Sequence, residues 1–135
     1  MQSSSQIDGK KHFREKINEI LVLPGAKFTL FCLETQVQIY TRNGKDLFDI
    51  IACTDPKLTQ AEILGDSLTI VYAGQKNRVE ARTFTNLTET TFTLINDIEV
   101  GKISLSQGKV ATISKDGCYV YVFALVGVSK DLQPT

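Results

Sequence analysis

Three segments of this chain share one pattern and decide its fold: Val37-Gln38-Ile39-Tyr40-Thr41, Val79-Glu80-Ala81-Arg82-Thr83 and Val120-Tyr121-Val122-Phe123-Ala124. They begin 42 and then 41 residues apart, and each carries an apolar residue at its first and third positions. Such alternation is typical of a half-buried β-strand. Self-similarity at a period near 40 residues is typical of a repeat architecture.

The strands around these segments repeat with the same period. A preceding strand is predicted at Phe28 to Leu33, Leu68 to Ala73 and Val110 to Lys115. One strand earlier, Ile20, Ile63 and Ile103 occupy equivalent positions. A fourth strand follows only in the first two units, which leaves the third unit incomplete. The pattern therefore predicts eleven strands, near residues 17–23, 27–33, 36–42, 46–52, 59–64, 67–74, 78–85, 89–96, 100–106, 109–115 and 118–125.

Turn residues stand between the predicted strands. Asn43-Gly44 and Asp116-Gly117 predict tight type I′ hairpin turns, because both central residues of such a turn need a positive φ. Pro24-Gly25 and Gln107-Gly108 are expected to turn the chain between the first and second strands of their units. Four short strands in each unit of about 40 to 45 residues predict blades of a WD-repeat-type β-propeller.

The domain boundaries follow from this count. We expect a polar, partly basic amino-terminal arm over residues 1–16, three blades over 17–128 and a tail over 129–135. The blades themselves are predicted at about 17–56, 57–97 and 98–128, the last one incomplete. The fold class is therefore all-β, a partial propeller.

Composition limits the functional classes. Fifteen basic and fifteen acidic residues give a net charge of zero, so no overall field attracts nucleic acid. The start of the chain lacks the apolar core of a secretory signal, and three cysteines without a CxxC pair favour reduced thiols. A cytoplasmic location is expected, with peripheral membrane contact through Lys10, Lys11, Arg14 and Lys16 as the weaker alternative.

A family resemblance rests on the runs Ala61 to Leu64, Ser67 to Gly74, Arg78 to Glu80 and Ile98 to Phe123. These runs resemble the amino-terminal half of PROPPINs, the WD-repeat propellers that bind phosphoinositides in autophagy. The resemblance implies an interaction scaffold linked to autophagy or membrane trafficking. The lipid sites of that family use a Phe/Leu-Arg-Arg-Gly motif, and here Phe13-Arg14 is followed by Glu15. No phosphoinositide-binding residue is therefore assigned.

Candidate catalytic and metal-binding residues are few. His12 lies in a basic run and is expected to be a solvated side chain. Cys32, Cys53 and Cys118 lack the spacing of metal ligands and are expected to be buried core thiols. Asp46, Asp55, Asp66, Asp97 and Asp116 fall in turns. We therefore predict no catalytic residue, no metal and no cofactor.

Three functional classes remain open at this point: a non-enzymatic propeller scaffold, a closed intracellular β-barrel that binds an apolar ligand, and an enzyme. The scaffold is favoured over the barrel, because such barrels open with a helix-turn-helix lid and nothing between Ile17 and Leu58 resembles one. Three blades cannot close a ring. We expect open apolar faces bearing residues such as Ile17, Ile20 and Leu30 at one end, and Ile103, Ile113 and Val122 at the other. The edge from Cys118 to Leu125 is also expected to lack a partner strand. A protein partner or a second copy would complete the assembly.

Overall fold

The computed structural model describes residues 11–41, 45–75, 78–86, 88–94, 96–126 and 131–135, and these form an all-β protein. No α-helix occurs in these ranges, although short 3-10 turns lie at Pro24–Ala26 and Pro56–Leu58. The strands are β1 (Glu19–Val22), β2 (Phe28–Cys32), β3 (Gln36–Thr41), β4 (Asp46–Ala52), β5 (Gln60–Leu64), β6 (Ser67–Ala73), β7 (Val79–Thr85), β8 (Thr88–Leu94), β9 (Val100–Ser106), β10 (Lys109–Ser114), β11 (Val120–Ala124) and β12 (Asp131–Leu132). All eleven predicted strands are confirmed, and β12 is an addition.

The strands form three separate sheets. The first has the order β1-β2-β3-β4, the second β12-β8-β7-β6-β5 and the third β11-β10-β9. Every pairing is antiparallel and lies within one predicted unit, except that β12 joins β8 in parallel. No sheet closes on itself in the described ranges, so the closed-barrel alternative is wrong.

The hairpin turns differ in part from the prediction. The positive φ angles of Gln107 (50°) and Gly108 (77°) give the turn between β9 and β10 the pair that a type I′ turn requires. At the predicted Asp116-Gly117 turn only Gly117 has a positive φ, and its N–H donates to the Ser114 carbonyl. A type I′ turn at Asp116-Gly117 is therefore wrong, and Asn43-Gly44 lies outside the described residues.

The second sheet is buried on both faces. Adjacent residues of a strand point to opposite faces, and both Ile70 and Val71 in β6 are fully buried. Ile70 belongs to a core shared with Leu30 and Ile39 of the first sheet. Val71 belongs to a second core, shared with Phe123 of the third sheet. The second sheet therefore lies between the other two.

All three sheets stack with the same polarity. We call the face that carries Val37, Val79 or Val120 the leading face of its sheet, and the opposite face the trailing face. Val37 packs in the core toward the second sheet, and Val79 packs in the core toward the third. We call the two interfaces between adjacent sheets the internal junctions. Each internal junction thus joins the leading face of one sheet to the trailing face of the next.

Polar contacts tie the sheets together at their edges. Glu62 of β5 accepts hydrogen bonds from the backbone N–H groups of Gln107 (2.7 Å) and Gly108 (2.8 Å) in the third sheet. After β4, the Thr54 N–H donates to the Ala73 carbonyl of the second sheet at 3.0 Å. The relative placement of the sheets is therefore fixed by directional bonds in addition to apolar packing.

Candidate interaction surface

Within the described residues, no sheet packs against the leading face of the third sheet. Val120 and Val122 of β11 are 57% and 41% exposed. Their cross-strand partners, Ile113 and Ala111 of β10, lie on the same face and are half-buried. Together these four aliphatic side chains form the surface that we call the open leading face.

Equivalent positions in the other units show how unusual this exposure is. Val37 and Val79 are both fully buried, whereas Val120 is 57% exposed. Two residues further along each strand, Ile39 and Ala81 are fully buried. In the first and second sheets, the residues at these positions are covered by the next sheet. In the third sheet, the equivalent residues form the open leading face.

The rim of this face is polar. Lys102 and Ser104 of β9 pair with Ile113 and Ala111, and therefore border the four aliphatic side chains. A shallow depression of about 390 Å³ lies between Ser104, Lys109, Ala111 and Val122, among other residues. An apolar centre with a polar rim is the usual anatomy of a protein-binding patch.

The edge of the third sheet is open only in part. The Tyr119 carbonyl and the Leu125 N–H bond toward β10, so the backbone groups of Val120, Val122 and Ala124 point away from the sheet. Of these groups, the Val122 carbonyl accepts a hydrogen bond from the Thr135 N–H at 2.8 Å. The expected unpaired edge is therefore present, but the carboxyl-terminal residue occupies one position along it.

The trailing face at the other end of the stack is partly covered by the amino-terminal arm. Phe13 lies 4.9 Å from Phe31 and 6.3 Å from Tyr40 between ring centroids. The Lys11 ammonium lies 4.3 Å from the centre of the Tyr40 ring. Aliphatic side chains of the same face remain exposed on β1 and β4: Ile20, Val22, Leu47 and Ile50.

Glu15 attaches the arm to the first sheet. Its carboxylate accepts hydrogen bonds from the backbone N–H groups of Glu34 and Thr35, both at 2.9 Å, and from the Thr35 hydroxyl at 2.7 Å. The Thr35 bonds, first the hydroxyl and then the N–H, lower the pKa of Glu15 below its ordinary value. The arm is thus held by the hydrogen bonds of the Glu15 carboxylate as well as by the packing of Phe13.

The expected exposed residues divide into two groups. Ile17 and Ile20 are 39% and 49% exposed, as predicted for an open face. Leu30 and Ile103 are 0% and 2% exposed, so their assignment to open faces is wrong. Leu30 lies on the leading face of the first sheet and Ile103 on the trailing face of the third, where both pack against the second sheet.

The cysteines also divide. Cys32 and Cys53 are buried, and burial raises the pKa of their thiols to about 11 and about 12. Cys118 is exposed, so the prediction of a core thiol is wrong there. It falls in the turn before β11, where its N–H donates to Asp116 at 2.9 Å. His12 is exposed, as predicted.

A half-buried polar cluster was not predicted from the sequence. The Tyr72 hydroxyl donates to Glu80 at 2.7 Å and accepts from Arg82 Nε at 2.9 Å. Arg82 also lies 3.9 Å from Asp49 of β4, across the junction of the first and second sheets. Burial, followed by the bond to Glu80, raises the pKa of Tyr72. Because these groups satisfy one another, we assign the cluster to packing between sheets.

Three phenylalanine rings close one end of the same junction. Phe48 meets Phe28 and Phe84 edge to face, with centroids 5.3 and 5.2 Å apart. A cleft of about 290 Å³ lies beside them. Edge-to-face contact at these distances is favourable for aromatic packing, so the rings account for one another.

In the described ranges, no group of three or more His, Cys, Asp or Glu side chains is placed to hold a metal ion. No helix in that part of the chain is both long and apolar enough to cross a membrane. No protein-family model matches the chain, and no curated protein matches it either.

Proposed function

We propose that this chain is a non-enzymatic interaction scaffold built from three consecutive blades of a β-propeller. The 41- and 42-residue spacing and the antiparallel sheets stacked with one polarity support the blade interpretation. On the basis of the PROPPIN resemblance, we propose that the protein acts in autophagy or membrane trafficking. Its proposed location is the cytoplasm, at the periphery of membranes.

The observation that carries the proposal is the open leading face. Val120 is 57% exposed where Val37 and Val79 are fully buried. Covering such side chains would contribute about 25 cal/mol for each Å² of apolar surface removed from water. The surface is therefore suited to receive another β-sheet with an apolar face.

Introducing a positive charge at two exposed valines tests the proposal. The substitution Val122→Lys places an ammonium group in the centre of the open leading face. Val126→Lys changes a residue that is 68% exposed and lies beyond β11. Proteins captured by the unaltered chain should be lost with Val122→Lys and retained with Val126→Lys. Equal capture by both variants would count against this surface.

A further inference from the structure

Within the described residues, the stack leaves one leading face and one trailing face uncovered by a sheet. The open leading face belongs to the third sheet, and the open trailing face to the first. Both internal junctions join a leading face to a trailing face, around the cores that contain Val37 and Val79. The molecule thus carries both halves of one more junction of the same kind.

From this complementarity we propose that a second copy of the chain packs head to tail on the first and closes a ring of six sheets. This proposal rests on the proposed blade architecture. Two junctions form, each between the third sheet of one copy and the first sheet of the other. Six sheets fall within the four to eight blades that propellers use.

The side chains on the two faces favour this arrangement over a pairing of identical faces. The open trailing face offers Ile20, Val22 and Ile50, and its strand residues are uncharged. Two copies of the open leading face would instead bring Lys102 and Lys109 of each copy together. Like charges at a desolvated interface are unfavourable, so the head-to-tail junction is preferred.

The area explains why a closed ring is expected rather than an open pair. Three strands of about five residues, with strands roughly 4.8 Å apart, cover only about 240 Å² of each face. A single junction buries roughly 500 Å², whereas specific interfaces begin near 1,000 Å². Two junctions together approach that limit, so the pair is stable only when both form.

The amino-terminal arm competes for one of these faces. Phe13 packs on Phe31 and Tyr40, in the middle of the open trailing face. On the trailing faces of the second and third sheets, Tyr72 and Phe123 are 1% and 0% exposed because a preceding sheet covers them. The arm therefore occupies the place of a preceding sheet, and a second copy must displace it.

Sedimentation equilibrium of the full chain over a wide range of concentrations tests the proposal. A monomer–dimer equilibrium is expected for the unaltered chain. Phe13→Ala should tighten the dimer by about a hundredfold, because about 1.4 kcal/mol of competing aromatic contact is removed at each of the two junctions. Val22→Lys and Val122→Lys, on opposite faces, should each abolish the dimer, and Val126→Lys should leave it unchanged.

Other outcomes separate the alternatives. A dimer that survives Val22→Lys but not Val122→Lys would mean that two leading faces pair. This result would refute the head-to-tail ring. Open polymers would overturn ring closure. A monomer at every concentration, including with Phe13→Ala, would refute the proposal that a second copy binds. If the chain stayed a monomer but still lost its captured proteins with Val122→Lys, the proposed function would stand without the proposed dimer.

Discussion

Truncating Val79 and Val120 to alanine in parallel measures how much of the third sheet is uncovered. The two residues hold equivalent positions in successive units, but Val79 is fully buried and Val120 is 57% exposed. At Val79 the change removes about two buried carbon groups, worth about 1.6 kcal/mol, and the remaining cavity raises the loss to about 2.5 kcal/mol. At Val120 a loss within about 0.5 kcal/mol is expected, as for other exposed sites.

Urea denaturation at low protein concentration gives both values from the shift of the midpoint at constant slope. The expected difference in the free energy of unfolding is about 2 to 2.5 kcal/mol. Equal losses at the two positions would refute the open leading face, since they would mean that Val120 is covered in the monomer.

Other predictions address the core, the thiols and the arm. Ile103→Ala should lower the free energy of unfolding by about 2 to 5 kcal/mol in thermal or urea denaturation, because the residue is 2% exposed. His12→Ala, at an exposed site, should change it by no more than about 0.5 kcal/mol. Cys118 should react with a thiol reagent in the native protein while Cys32, buried with its pKa raised to about 11, reacts only after unfolding; mass spectrometry distinguishes the two. Because hydrogen bonds lower the pKa of Glu15 on folding, its contribution is complete above the pKa of the unfolded chain and is lost as pH falls through the folded value. Hydrogen exchange of the Thr35 amide should therefore accelerate in acid, beyond the intrinsic pH effect, and Glu15→Gln should remove that dependence.

Strand positions could be predicted because the period, the alternation and the turn residues agree with one another. The faces could not be assigned so well. Leu30 and Ile103 were expected on open faces, yet alternation alone does not say which side of a strand meets a neighbouring sheet. The register of the hairpins, as in the Val110–Phe123 pair, determines which residues share a face, and the stacking of the sheets determines which face is covered.

Features that depend on contacts between distant segments were missed. Phe13 was an aromatic residue in a polar arm, a signal that could have indicated packing on a sheet. The cluster of Tyr72, Glu80 and Arg82 depends on the pairing of Tyr72 with Glu80, which no local pattern specifies. The two residues of β12 are too few to show any alternation.

The carboxyl-terminal tail helps to explain why a partner is expected on the face of the third sheet rather than on its edge. The parallel strand β12 extends β8, and Leu132 packs against the second core. Thr135 then donates to the Val122 carbonyl on the outward edge of β11. A strand added there would have to break this bond and move the tail, whereas a sheet placed over Val120 and Ile113 leaves this bond in place. Covering an edge with a loop is one way in which proteins avoid unwanted strand pairing. The tail thus favours the apolar face as the place for the proposed association, where sheet-on-sheet packing with the polarity of the two internal junctions would continue.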